Sequence, residues 1–370
     1  MTETLHLTAI GNGLAAVAWR IPGLSVRTAW QAVRAACARG NRDVVKIFVG
    51  GQPLPRGPAW PDKTPASSDP WSWVAALDAP TYFAYARNAQ SYDRELFVRV
   101  VEAFASLVAK QGIHSGPTEV EVFLGDYQYT PGGIHRESCS NIHLVLHGTK
   151  TMYFWPRHGW PTAEVPRRLT HAEGTGTTEE YLAWINPSDV VEHADRLTAG
   201  AGGGFAWRAG TWHVAETHGP SIAVNIASYQ HSLDGERPLP LWTGQLTGAV
   251  PTDWLRQYAA HIGSAYRPGT LLARLSSLNM TTAPPRRPAR RGRSVRWRLD
   301  VPIVWTADSD RLIVAALGEA RRFGPAELVA EWLSSRGPIG HQSEVKQRLA
   351  DLAAWLHRQG VVDVEDGELP

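Results

Sequence analysis

Between residues 93 and 110, Leu96, Val98, Val101, Phe104, Leu107 and Val108 recur close to every 3.6 residues. That spacing predicts a helix with one apolar face. A second helical pattern covers 26–38, and the apolar run Val44-Val-Lys-Ile-Phe-Val predicts a strand at 44–49. From 120 to about 230 the signal changes to short strand-like runs punctuated by glycines, at 120–124, 141–146, 150–155, 204–207 and 221–229. Short strands with turn signals between them predict a sandwich or small barrel. The stretch 160–201, between the third and fourth of these runs, is expected to be an insertion with some helix, of a kind that often covers a site.

Beyond 230, Pro-containing turns alternate with helical segments at 253–262 and 270–278. The Pro- and Arg-rich stretch 281–294 then predicts a linker or extended arm, which can be a solvated spacer or a contact for an acidic partner. In the last 70 or so residues, 312–317, 325–334 and 344–359 predict three helices, with Gly318, Gly337 and Gly360 as punctuation and a strand at 361–364. Three helices and a terminal β-element suggest a winged-helix-like module. The organisation expected is therefore a mainly β domain at 1–235 with an N-terminal α/β elaboration, a helical connector and basic linker at 236–295, and a winged-helix-like domain at 296–370.

Composition narrows the chemistry. The 37 Lys+Arg against 35 Asp+Glu leave a net charge of +2, too little for the electrostatic footprint of a nucleic-acid-binding protein. No apolar run approaches the roughly 18 residues of a membrane span. The opening Met1-Thr-Glu-Thr-Leu-His lacks a signal peptide's basic and apolar regions, so a cytoplasmic location is expected. Cys37 and Cys139 build no disulfide framework and no CxxC pair, which excludes a thiolate metal site and leaves imidazole plus carboxylate. Sixteen tryptophans imply large rigid apolar surfaces, in a core or lining a groove.

The informative segment is Gly132-Gly-Ile-His135-Arg-Glu137-Ser-Cys-Ser-Asn141-Ile-His143-Leu-Val-Leu-His147-Gly-Thr-Lys150. His135 and Glu137 are two residues apart, so on a strand they point to one face and one metal ion can reach both. The best third ligand is His213, delivered by the turn Gly210-Thr-Trp; His218, five residues on, is the alternative. Two His and one carboxylate on one side of an octahedral ion leave positions open, as in non-haem Fe(II) oxygenases. Lys150 opens the otherwise apolar strand Met152-Tyr-Phe-Trp155, where burial without an anionic partner would be costly. A carboxylate of a bound ligand would satisfy it. In 221–229, bulky Ile222, Val224 and Ile226 alternate with Ala223, Asn225 and Ala227, so one face is small and leaves room for a ligand, or for close backbone approach. Tyr127 and Tyr129, just before the metal strand, line a substrate groove or belong to the core, and Arg136 and Trp212 flank the ligands as further groove candidates.

These motifs resemble the JmjC/cupin-like 2-oxoglutarate oxygenases, most closely the branch with the ribosomal oxygenases and asparaginyl hydroxylases. The match covers about 100 residues, 125–230. It includes Gly210-Thr-Trp-His213 followed by a strand ending Ser228-Tyr-Gln230, similar to the ribosomal-oxygenase pattern. The resemblance implies a double-stranded β-helix core, a metal triad of His135, Glu137 and His213, Lys150 as anchor of the distal carboxylate of 2-oxoglutarate, and Asn141 as a polar group holding that cosubstrate. Fe(II), 2-oxoglutarate and O2 are the implied cofactor set, succinate and CO2 the products. The acid is Glu137 where asparaginyl and ribosomal hydroxylases usually carry Asp; glutamate is common in JmjC demethylases. Hydroxylation of a protein or peptide side chain is the leading expectation. Demethylation, small-molecule hydroxylation and a non-catalytic cupin-like binding protein stay open. A homodimer through the connector is expected, and neither nucleic acid nor membrane is expected as a partner.

Overall fold

In a computed structural model, the structure describes residues 4–39, 44–63, 69–155, 160, 167–172, 177–182, 185–234, 236–242, 246–281, 294–297, 301–335, 342–344 and 349–365. The protein divides into two compact units, one of residues 1–99 and 114–237 and one of residues 100–113 and 238–370.

The first unit is mainly β. In sequence order its elements are β1 (Thr4–Gly11), β2 (Leu14–Arg20), α1 (Val26–Arg39), β3 (Val45–Val49), β4 (Gln52–Pro53), α2 (Pro70–Leu77), β5 (Tyr82–Ala86) and the start of α3 (Arg94–Gln111). Then follow β6 (Thr118–Asp126), β7 (His135–Glu137), β8 (Cys139–His147), β9 (Thr149–Trp155), β10 (Arg167–Ala172), β11 (Thr177–Leu182), β12 (Asp195–Gly200), β13 (Gly203–Trp207), β14 (Trp212–Thr217) and β15 (Ser221–Tyr229). They form a nine-stranded sheet, β1-β2-β13-β8-β15-β6-β5-β3-β4, and a six-stranded sheet, β10-β11-β7-β14-β9-β12, with every neighbouring pair antiparallel.

Strand alternation fixes what lies between the sheets. Met152, Phe154 and Ala215 of the six-stranded sheet pack in one buried cluster with Leu14, Phe83, Val145, Phe205 and Trp207 of the nine-stranded sheet. The intervening residues Tyr153, Trp155, Trp212 and Val214 point the other way. They form a second cluster with Ile134 and Leu182, against which Trp160, Val190, Val191 and Ala194 pack. The 160–201 stretch thus covers the outer face of the smaller sheet. Its described part is β10, β11, β12 and two short 3-10 helices, with no α-helix among the described residues; 161–166, 173–176 and 183–184 lie outside them.

The second unit carries β16 (Gly248–Ala249), α4 (Thr252–His261), α5 (Pro268–Ser276), β17 (Ser294–Trp297), β18 (Ile303–Asp308), β19 (Arg311–Ala316), β20 (Glu319–Phe323), α6 (Ala326–Ser334), β21 (Gln342–Glu344), α7 (Ala350–Gln359) and β22 (Val362–Glu365). The expected helix at 312–317 is instead β19, the central strand of the antiparallel set β18-β19-β20. Its run Leu312-Ile-Val-Ala-Ala-Leu317 is buried on both faces, and a continuous short apolar run of that kind fits a core strand as well as a helix. The helix expected at 325–334 appears as α6; of that expected at 344–359, α7 supplies Ala350–Gln359, while Glu344 ends strand β21, and 345–348, like 282–293 of the basic linker, lie outside the described residues. Among the described residues no helix is long and apolar enough to cross a membrane.

Gly204 of β13 shows how closely the site-bearing strands approach: a Cβ built there would collide with the backbone carbonyl of His143 on β8. Gly204→Ala should therefore destabilise the fold by about 1–3 kcal/mol through overpacking, read as a lower urea midpoint at unchanged m.

Candidate metal centre

β7 lies between β11 and β14, and this placement assembles the centre. His135 pairs directly across from His213 on β14, and Glu137, two residues on, shares the inward face with His135. One ligand atom from each of His135, Glu137 and His213 lies within 4.8 Å of the others. The two imidazole centroids are 4.3 Å apart, and His213 Nε2 is 3.9 Å from Glu137 Oε2.

The ring orientations fit a metal ion. His135 Nδ1 donates to the Gly133 carbonyl and His213 Nδ1 to the Thr211 carbonyl, both at 2.9 Å. A carbonyl can only accept, so each ring carries its proton on Nδ1 and keeps the Nε2 lone pair free, the arrangement that backbone carbonyls commonly give metal-ligating histidines. Burial lowers both pKa values, His213 far more than usual because His135 adds to the effect, so both rings are neutral ligands. His218, the alternative ligand, is held elsewhere, with Nε2 2.8 Å from Thr151 Oγ1.

Charge balance around Glu137 points the same way. Four carboxylates crowd this end of the cavity. Glu119 and Glu179 pair with Arg87, at 3.2 and 3.8 Å. Glu121 accepts from the Tyr85 hydroxyl and, at 2.8 Å, from Asn225 Nδ2. Among the described residues Glu137 has only the Cys139 thiol, at 3.6 Å, and the imidazole of His213. Burial, then repulsion by Glu121 and Glu179, holds its carboxyl well above the usual range. A divalent cation on the two free Nε2 atoms would reverse that.

Lys150 is 1% exposed and faces the same cavity, which has a volume of about 450 Å3 and is also lined by the three candidate ligands, His143, Trp207 and Asn225. No carboxylate among the described residues pairs with it. Its Nζ sits 3.1 Å from His143 Nε2 and over the rings of Phe123 and Tyr127, at 5.0 and 5.7 Å. Burial pushes its pKa down to about 7. From an ordinary 10.5 that corresponds to about 5 kcal/mol against the ammonium. A charge-assisted hydrogen bond to a neutral acceptor returns about 1.5–3 kcal/mol, so His143 alone does not balance it. His143 is itself kept neutral by burial and by the ammonium.

Asn225 lines the cavity, and Asn141 stands behind it. Asn225 Nδ2 donates to Glu121 and, at 2.7 Å, to Asn141 Oδ1. Both neighbours are acceptors, so the amide nitrogen must face them, and the buried Asn225 Oδ1 is left without a partner among the described residues. Asn141 is thus a support for Asn225 and does not line the cavity itself.

The four groove candidates do not reach the cavity. Arg136 and Trp212 alternate to the outer face of the sheet, opposite His135, Glu137 and His213; Arg136 pairs there with Glu180 at 2.5 Å and lies over the Trp212 ring at 4.9 Å. Tyr129 packs on that outer face against Tyr153, and Tyr127 is a core residue, edge-on to Phe83 at 5.3 Å. What the cavity uses instead are Tyr85, Arg87, Glu121, Glu179 and Tyr181, the last stacked on His135 at 5.2 Å. Acids at 119 and 121, alternating with Val120, Val122 and Leu124, were the signal for a charged inner face.

Removing a ligand should cost more than the 10–100-fold lost on changing a residue that merely orients one. His213→Ala and Glu137→Gln are expected to lower Mn(II) affinity by more than about 100-fold in calorimetry, with His218→Ala and Arg136→Ala unchanged. Because Glu137 ionises late in the metal-free protein and the ion takes the carboxylate, Mn(II) binding should release a proton and tighten as pH rises. Titration in buffers of different ionisation enthalpy counts that proton; uptake, or affinity that falls with pH, would contradict the assignment.

No family model matches the protein, and no curated protein matches it in sequence. Among solved structures, an X-ray structure of ycfD from E. coli matches 99% of this chain and all of its own, at a TM-score of 0.51 and 11% identity. A second structure, of YcfD described as a ribosomal oxygenase from Escherichia coli, matches over the same extent at a TM-score of 0.48 and 12% identity. At such identity the likeness is one of fold, and it extends over nearly the whole sequence: the protein is similar in fold to ycfD of E. coli.

Proposed function

We propose that this protein is an Fe(II)- and 2-oxoglutarate-dependent oxygenase that hydroxylates a carbon in the side chain of one residue of a protein or peptide. The two facing sheets are read as the cupin-type double-stranded β-helix, and the second unit as a connector followed by a winged-helix-like domain. One observation carries the reading: a two-His-one-carboxylate cluster and a buried lysine with no acidic partner among the described residues face the same cavity. Iron with 2-oxoglutarate, when bound, supplies the oxidative chemistry, giving succinate and CO2 and delivering one oxygen atom of O2 to carbon.

The protein's own groups do the rest. His135, Glu137 and His213 would hold the ion from one side and leave the cavity side open. Lys150 would hold the distal carboxylate of the cosubstrate; Asn225 Oδ1 is an acceptor and can pair only with a donor, such as the ammonium or an N–H of the substrate. Trp207, 4.9 Å from His213 and 6.2 Å from His143, walls the space between ion and lysine and excludes water. A cavity of about 450 Å3 takes a small dicarboxylate and one further side chain, which suits a polypeptide presenting a single residue. The fold likeness to YcfD supports the same class of reaction.

Incubation with Fe(II), ascorbate and 2-oxoglutarate should yield succinate. Lys150→Met should raise KM for 2-oxoglutarate by about 30-fold or more, since losing one partner of a buried charged pair costs about 2 kcal/mol or more, while Mn(II) affinity stays unchanged. No succinate from metal-loaded protein would contradict the proposal.

The pH dependence has a defined sign. Lys150 is already charged below pH 7 in the free protein, so affinity for 2-oxoglutarate should be level there. Above about 7 the lysine must take up a proton on binding, and Kd should rise by about tenfold per pH unit. A Kd that is flat across that range would show that the dicarboxylate does not sit on Lys150.

A further inference from the structure

A second cavity lies in the C-terminal unit, far in sequence from the metal ligands. It runs between β20 and α7, with the turn after β20 and the start of β19 at its end, and includes Arg311, Arg321, Arg322, Phe323, Trp355 and Arg358 in its lining. β20 is the edge of its sheet: it pairs with β19, and no described strand takes its other side. An unpaired strand edge presents a row of backbone donors and acceptors that another extended segment can complete.

The side chains beside that edge are laid out for a particular ligand. On β20 the α7-facing positions alternate. Glu319 accepts from Trp355 Nε1 at 3.4 Å, and Phe323 packs on the Trp355 ring at 5.4 Å, so Arg321 between them shares the face that α7 crosses. Across the groove α7 presents Arg358, three residues beyond Trp355, on the same helix flank. Arg321 and Arg358 are both exposed, and neither has an acidic partner among the described residues. Arg322 is the contrast, tied to Asp308 by a short ion pair. The groove therefore has an apolar floor of Phe323, Val329, Leu352 and Trp355, a strand edge on one side that no described strand pairs with, and Arg321 and Arg358, which have no acidic partner among the described residues, on its two sides.

We propose that this groove binds an extended acidic peptide segment, which adds to β20 as an outer strand, seats alternate apolar side chains on Phe323 and Trp355, and pairs its carboxylates with Arg321 and Arg358. Edge pairing supplies affinity, and the pockets and charges supply specificity. A nucleic acid fits less well. It cannot complete the strand edge; Asp310 and Asp351 in the same lining bear on either anionic ligand alike, so the strand edge is what favours a peptide. The proposal does not rest on the chemistry assigned to the metal centre.

The test uses the full-length protein, free of added metal, and fluorescence anisotropy with four labelled probes. These are an alternating Glu-Val-Asp-Leu-Glu-Val-Asp-Leu peptide, the same peptide N-methylated at alternate residues, its Lys/Arg counterpart, and a short DNA duplex. The acidic peptide is expected to bind saturably with one site. Alternate N-methylation, which removes backbone donors but keeps every side chain, should weaken it at least tenfold. The double variant Arg321→Glu/Arg358→Glu, both exposed positions, should weaken it at least tenfold without moving the urea midpoint or Mn(II) affinity. No binding of the acidic peptide, binding indifferent to N-methylation or to the double variant, or preference for the basic peptide overturns the proposal. Duplex binding that is tighter than peptide binding and lost in the same variant would mark a phosphate-binding surface instead, and overturns it equally.

Discussion

Inside the first unit, a cation and a carboxylate are buried in one cavity without meeting. Lys150 has a neutral imidazole and two aromatic faces but no acid for company, and Glu137 has only a thiol and an imidazole, among the described residues. Each would be expensive to bury in its charged form, and a purely structural cavity would be better served by apolar groups or by a direct ion pair. What holds the two apart is the sheet: Lys150 on β9 and Glu137 on β7 are separated by β14, which brings His213 between them. The geometry thus keeps open a place for a cation at one end and an anion at the other. The folded state bears an electrostatic cost that a metal ion and a dicarboxylate would remove, and this is the physical basis for reading the cavity as a site.

The surrounding groups tune that imbalance. Arg87 pairs with both Glu119 and Glu179, and Tyr85 with Asn225 donates to Glu121, so that of the four carboxylates Glu137 is the one with neither a cation nor a hydroxyl or amide donor among the described residues. The two imidazoles have their tautomers set by backbone carbonyls two residues upstream, a local consequence of strand geometry that requires no long-range partner. Asn141 orients Asn225 from behind. Each group is thus oriented by its own hydrogen bonds.

Much of this was legible in the residue pattern because strands with one face in a cavity have a strict period of two. His135 and Glu137 fall on one face, and Lys150, Met152 and Phe154 on another inward face. The same rule, applied to the neighbours, would have excluded Arg136 and Trp212 from the groove, since each lies one residue from a candidate ligand and must point away. The acids at 119 and 121 left a trace in their alternation with Val120, Val122 and Leu124, but their pairing with Arg87, Tyr85 and Asn225 was hidden, because it comes from strands paired across the sheet, a long-range fact that local pattern does not carry. In the C-terminal unit, 312–317 is apolar at every position, so periodicity had nothing to choose with, and tertiary burial on both faces made it a strand. The motif at 125–230 pointed to a mainly β core, and it samples β7, β8, β14 and β15, strands from both sheets.

The most direct measurement is a crystal structure of the protein with Mn(II) and 2-oxoglutarate, anaerobic to prevent turnover. The account predicts one ion bonded to His135 Nε2, His213 Nε2 and a Glu137 oxygen, and the far carboxylate of the dicarboxylate on Lys150 Nζ in place of its contact with His143. An ion bound elsewhere, or Lys150 still paired with His143 while the dicarboxylate lies outside the cavity, would contradict it.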